Sequence, residues 1–129
     1  MTDLADRLTA VLAEVVTVNA EPDGALTVRH DGTLASLRVV PIAEDLELVS
    51  LTQILGWDLP LTKQLRERAA EQAALSQLGT VTLVEKAAES ADVMLRYNFP
   101  GSGLTDDALR TLVLLVLTKG VDIRDALIG

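Results

Sequence analysis

The chain has 129 residues, no cysteine, a formal net charge of −8 and a sequence pI near 4.5. That length suits one domain, here residues 1–129, which can bury a core without disulfides or a structural metal. The acidic balance argues against nucleic-acid backbones and anionic membrane surfaces, whose binding draws on Lys and Arg. The missing thiols exclude disulfides, Cys-zinc sites and thiol nucleophiles.

In chain order, Leu4, Leu8, Val11, Leu12 and Val15 recur at helical spacing behind Thr2 as N-cap, so the chain opens with an amphipathic helix. The same stretch lacks a basic leading region and does not read as a signal peptide. Glu21-Pro22-Asp23-Gly24 and Asp31-Gly32 are turn signals that bracket a strand, Leu26 to His30, with Thr33 to Val40 returning beside it. Leu46 to Trp57 suits a long strand or a short helix. The strand is preferred, with a phase slip between Leu48 and Val49 of the kind a β-bulge makes.

Asp58-Leu59-Pro60 is expected to break that strand. Thr62 then caps a helix that runs to about Leu78 and stops at Gly79. Thr80 to Lys86 and Asp92 to Phe99 form two strands around a Glu89-Ser90 turn. In the second, Val93, Leu95, Tyr97 and Phe99 share one face, and Asp92, Met94, Arg96 and Asn98 the other. Thr105, Asp106 and Asp107 open a last long helix, apolar nearly all round from Leu109 to Leu117 and therefore buried on more than one side. Lys119-Gly120 marks its end, with Val121 to Ile128 a short helix or tail. Its longest apolar run, Leu112 to Leu117, is far short of a membrane span.

The chemistry-bearing residues are sparse. His30, the sole histidine, has no nucleophile or orienting group in view and reads as a strand-end residue facing water. No metal-ligand spacing occurs, so no metal and no cofactor is expected. Gly101-Ser102-Gly103 before a helix superficially resembles a phosphate cradle, but Asp106 and Asp107 occupy the positive end of that helix, and the loop reads as a plain connection. Ser50, Ser76, Ser90 and Ser102 lie in no nucleophile context. Trp57 reads as an anchor at the strand-to-helix corner, with a partner contact as its alternative. Tyr97 and Phe99 read as core. No catalytic residue is assigned, and no particular residues are assigned to partner binding.

The segments Leu48 to Pro60, Leu95 to Pro100 and Leu104 to Leu109 resemble the YbjN-type family, particularly its short actinobacterial-looking members, over nearly the whole chain. The element order of helix, meander, helix, hairpin and helix reads as α+β with an antiparallel sheet. The resemblance implies the same: a fold related to the type III secretion chaperones, of order α-β-β-β-α-β-β-α, allowing an extra short strand near Val16 to Val18. It also implies a small acidic protein that pairs with itself and holds client segments, and it carries no catalytic motif. The expectation is therefore a non-enzymatic, cytoplasmic protein- or peptide-binding module of chaperone type that forms a homodimer. The alternative is a regulatory or structural homo-oligomer that binds no unfolded client. The Ala-rich stretch around Ala69, Ala70, Ala73 and Ala74 and the apolar Leu109 to Leu117 segment are the candidate helical contacts.

Overall fold

A computed structural model describes residues 3–128. Helix α1 (Leu4–Ala13) starts at Asp3, whose carboxylate accepts from the Asp6 N–H at 2.8 Å; the expected cap, Thr2, lies outside the described residues. A three-residue strand β1 (Val18–Ala20) follows, then β2 (Leu26–His30), β3 (Thr33–Ala43) and β4 (Leu46–Pro60). Helix α2 (Lys63–Leu75), β5 (Thr80–Lys86), β6 (Ser90–Pro100) and α3 (Asp106–Ile128) complete the chain. The order is thus α-β-β-β-β-α-β-β-α, with β1 as the additional short strand. All six strands form one antiparallel sheet in the order β1-β2-β3-β4-β6-β5.

Turn chemistry sets the meander. Asp31 and Gly32 both take positive φ, 44° and 83°, as a two-residue hairpin turn requires. At the preceding turn Gly24 sits at φ 90°, while the Glu21 N–H donates to the Ala25 carbonyl at 2.8 Å.

Alternation then decides the layers. Leu26 and Val28, Ala35 and Leu37, Val49, Leu51, Gln53 and Leu55, and Ala91, Val93, Leu95 and Phe99 are all buried, and cross-strand pairing places them on one face. The helices cover that face. Each fully buried Leu there contributes roughly 1.5–3 kcal/mol over an exposed one. Residues on the opposite face are partly or fully exposed, so the molecule has two layers.

Four expectations change. The phase slip does not fall between Leu48 and Val49. Leu46 and Leu48 belong to the uncovered face and Val49 and Leu51 to the core; the irregularities lie instead at Ile54/Gly56 and Gly56/Leu59 against β6, and on β3 between Pro41 and Ala43, beside Leu46. Asp58-Leu59-Pro60 does not end the strand either. Asp58 adopts φ 50° and donates its N–H to the Asp92 carboxylate at 2.9 Å, which lets Leu59 and Pro60 rejoin β6.

Helix α2 stops at Leu75, because Ser76 turns extended and gives its hydroxyl to the Leu78 and Gly79 carbonyls; Gly79, at φ 87°, serves the entry to β5. Finally, α3 runs unbroken through Lys119 and Gly120 to Ile128. Gly120 is there for close approach. A Cβ on it would lie 1.9 Å from Oε1 of Gln53, which rises from β4 and donates to the Leu117 carbonyl at 3.1 Å and to Thr33 Oγ1 at 2.8 Å.

Candidate interaction surface on the bare face of the sheet

The helix layer packs mainly on the sheet and on its own members. Leu109, Val113, Val116, Leu117, Gly120, Ile123 and Leu127 form the buried stripe of α3, which packs on β3 and β4 with α1 and α2 alongside. Ion pairs join α1 to α3: Arg7 to Asp106 at 2.8 Å, and Arg110 to Glu14 at 2.6 Å. Cover for the apolar last helix therefore comes largely from this chain itself, although Leu115 remains 46% exposed.

Among the described residues, no helix lies on the other face of the sheet. Register places its side chains in rows that cross the strands. One row runs Arg29, Leu34, Ile54, Met94, Thr82; its neighbour runs Thr27, Ser36, Thr52, Arg96, Thr80. Beyond them come Arg38, Ser50 and Asn98, and then Val40, Leu48 and Pro100. Two apolar rows thus enclose two polar ones. Leu34, Ile54 and Met94 are partly exposed, whereas Val40 at 37% and Ile42 at 56% stand clear on the hairpin joining β3 to β4.

The charges on this face are of one kind in its middle. Arg38 pairs with Asp23, and Lys86 bonds both Asp58 and Asp92 at the far edge. Among the described residues neither Arg29 nor Arg96 has a carboxylate within ion-pair distance, and both are exposed. The Asp58 N–H, with Lys86 behind it, holds the Asp92 carboxyl below the ordinary carboxylate range. The Ala25 N–H and then Arg38 do the same for Asp23.

A second surface borders the sheet. Strand β5 is an edge, and between it and α2 runs a groove of about 360 Å³ lined by Ala69, Ala70, Ala73, Val81 and Leu83. The Arg66–Glu85 ion pair lies within it. Ala69 packs into the core, but Ala70, Ala73 and Ala74 are exposed. A hollow of about 450 Å³ also lies between the end of α2 and the middle of α3, walled by Leu75, Leu78, Leu115 and Ile123.

The residues singled out from the sequence do not converge. His30 alternates with Leu26 and Val28 on the covered side and is 22% exposed rather than open to water; its Nε2 lies 3.9 Å from Asp31. The Gly101 N–H is spent on the Glu47 carbonyl at 3.0 Å, and a Cβ there would meet Val49 and Leu4. The Gly101-Ser102-Gly103 loop is therefore a connection tied to β4. The hydroxyls of Ser76, Ser90 and Ser102 each bond backbone, while Ser50 lies in a polar row of the bare face.

Trp57 sits in the irregular stretch of β4, 46% exposed, so it is not a buried corner anchor. Tyr97 and Phe99 stack at 5.5 Å on the covered face. Among the described residues no three His, Cys, Asp or Glu are grouped to hold a metal ion, and no helix is long and apolar enough to cross a membrane.

The antiparallel six-stranded sheet with three helices is an α+β fold like that of a type III secretion chaperone. The likeness is seen with the Yersinia pestis chaperone SycH, solved in complex with a stable fragment of YscM2. The match has a TM-score of 0.53 and 14% sequence identity, and covers 94% of this chain and 99% of that one. At that identity the likeness is one of fold. No family model matches the sequence, and no curated protein matches it.

Proposed function

We propose that this chain is a non-enzymatic protein-binding module of chaperone type, cytoplasmic and allied to the YbjN-type proteins its sequence resembles. The observation that carries the reading is the bare face, where Leu34, Ile54 and Met94 form an apolar row that no element among the described residues covers. Partly exposed apolar side chains gathered in one row favour a partner that removes them from water. The chaperone fold supports the same reading, since its structural neighbour holds a protein fragment.

The chain also pairs with itself, on this reading, through α2 and the edge of β5. An edge of seven residues, Thr80 to Lys86, contains no proline and only Glu85 and Lys86 as charges. Uncovered edges of that composition invite pairing. Exposed Ala70, Ala73 and Ala74 let a second helix backbone come close. A stable dimer would bury on the order of 1,200–2,000 Å² in total.

A photo-reactive residue at position 54, with another at Gln64 on α2 as control, tests the reading in cells. Capture of a different polypeptide at position 54 alone supports it. Capture of only this chain's own peptides favours the second reading, a regulatory or structural homo-oligomer. Light scattering on dilution tests the pairing, and Ala73→Glu should give a folded monomer. A dimer that survives Ala73→Glu moves the contact off α2.

A further inference from the structure

We propose that the bare face selects an acidic amphipathic protein segment, one whose apolar side chains are flanked by Asp or Glu. The inference rests on the proposed binding role of that face and adds the chemistry of its partner. It starts from a contradiction in charge. The chain as a whole carries −8, yet the three rows that cross this face from Arg29 to Arg38 contain three guanidinium groups and not one carboxylate.

Arg29 opens the apolar row at β2, and Arg96 stands beside its far end on β6. With strands spaced about 4.8 Å apart, three strand steps and two residues along β6 set their Cα atoms about 16 Å apart. The floor between them is Leu34, Ile54 and Met94, bordered by Ser36 and Thr52. Elsewhere on the face cations are already matched, Arg38 by Asp23 and Lys86 by Asp58 and Asp92. On this face, among the described residues, only the two that bracket the apolar floor are left without carboxylates.

A segment that buries Leu34, Ile54 and Met94 also desolvates those guanidinium groups, which then need acceptors. Carboxylates supply them best, since Arg binds them through two parallel N–H donors. A basic segment meets repulsion at both ends, and a neutral one leaves both guanidinium groups unmatched. A nucleic acid would find the same two cations, but its affinity draws on many phosphate contacts and it offers no aliphatic side chains to cover Leu34, Ile54 and Met94. The choice therefore falls on an acidic polypeptide.

The test selects from a displayed library of random 16-residue peptides against the full chain, then measures the enriched peptides by fluorescence anisotropy. The expected winners combine apolar residues with Asp or Glu. They should bind about tenfold more weakly to Arg29→Gln or Arg96→Gln, and undetectably to Ile54→Asp. Arg29→Glu with Arg96→Glu should switch the selection to peptides bearing Lys or Arg. Thermal unfolding of each variant confirms that it is folded, since all of these positions face solvent at least in part.

Each other outcome refutes a distinct claim. Peptides without acidic residues whose binding is lost in Ile54→Asp leave the face as the site and refute the charge selection. Peptides that bind Ile54→Asp unchanged place binding elsewhere and refute the face itself, and no enrichment refutes both. Binding of a labelled 20-nucleotide single strand that Arg29→Gln abolishes, in place of any peptide, overturns the choice of partner.

Discussion

Replacing Gly120 by Ala should be among the most damaging single-methyl additions to this protein. In an exposed helix the change would help, because Ala is favoured over Gly by about 1 kcal/mol. Here the added Cβ falls 1.9 Å from Oε1 of Gln53, 2.4 Å from its Cδ and 2.7 Å from its Nε2. A surface glutamine would swing aside, but Gln53 is fully buried and its Nε2 donates to both Thr33 and Leu117. Moving it breaks those bonds and leaves a buried amide unmatched, at about 1–3 kcal/mol. Forcing the methyl into a packed core costs about 1–3 kcal/mol more. Against the helix gain, the net loss comes to about 1–5 kcal/mol, or roughly 4–18 °C of melting temperature for a chain of this size. Thermal and urea unfolding followed by circular dichroism measures it. The cycle with Gln53→Ala identifies the cause: in that background Gly120→Ala should lose most of its cost, a coupling of about 2 kcal/mol. A loss below about 0.5 kcal/mol, or one undiminished by Gln53→Ala, refutes the contact as the reason for glycine.

Gln53→Met should leave the unfolding free energy, measured in urea, within about 1 kcal/mol of the parent, because Gln53 Oε1 is buried without a hydrogen-bond partner among the described residues and its loss offsets that of the two donated bonds. A loss above about 3 kcal/mol would show that the amide is strongly stabilising on balance. Thr62→Ala should cost about 1 kcal/mol, since its side chain accepts the Leu65 N–H at 3.0 Å at the start of α2; an unchanged melting temperature would count against the cap. Asp92 and Asp23 have folded-state pKa values below the ordinary carboxylate value. Their stabilisation is therefore present above about pH 4 and is lost as pH falls through the lowered values. Asp92→Asn should flatten the acid limb of a stability-versus-pH curve, and an unchanged slope between pH 2 and 4 would remove Asp92 as a cause.

Much of the architecture was legible because its punctuation is local. Asp31-Gly32 and Thr62 act within a few residues of themselves, and both serve the turn and the cap that their chemistry implies. Thr80 to Lys86 stands as read, and the two faces of β6 separate as its alternation implies. The sequence misleads where a local signal has a distant cause. Lys119-Gly120 has the composition of a helix end, yet the glycine answers to Gln53, 67 positions earlier in the chain. Asp58-Leu59-Pro60 looks like a break, but the Asp92 carboxylate receives the Asp58 N–H and the strand continues.

The candidate surface was half legible. The sequence shows Met94 and Arg96 alternating with core residues of β6, but alternation alone does not say which face the helices take. That requires pairing, because Leu34, Ile54 and Met94 become one row only through the register of three strands.

The same core contact connects stability to the surface. A sheet in a two-layer fold presents a bare face only if the opposite layer accommodates every helix, and α3 is the longest of them at 23 residues. Its descent onto β4 depends on Gly120 beside Gln53, and its flanks are held by Arg7 and Arg110 on the side of α1. With the helices fixed on one side, the uncovered face owes nothing to the core, and its residues are free to vary in charge and size at little cost in folding. Ile54→Asp and Gly120→Ala should therefore separate cleanly. The first should abolish peptide binding with a melting temperature near that of the parent. The second should lower the melting temperature while the still-folded fraction binds as the parent does. If Ile54→Asp instead unfolds the chain, the bare face is part of what holds the sheet together, and the division between a closed core and an open surface fails.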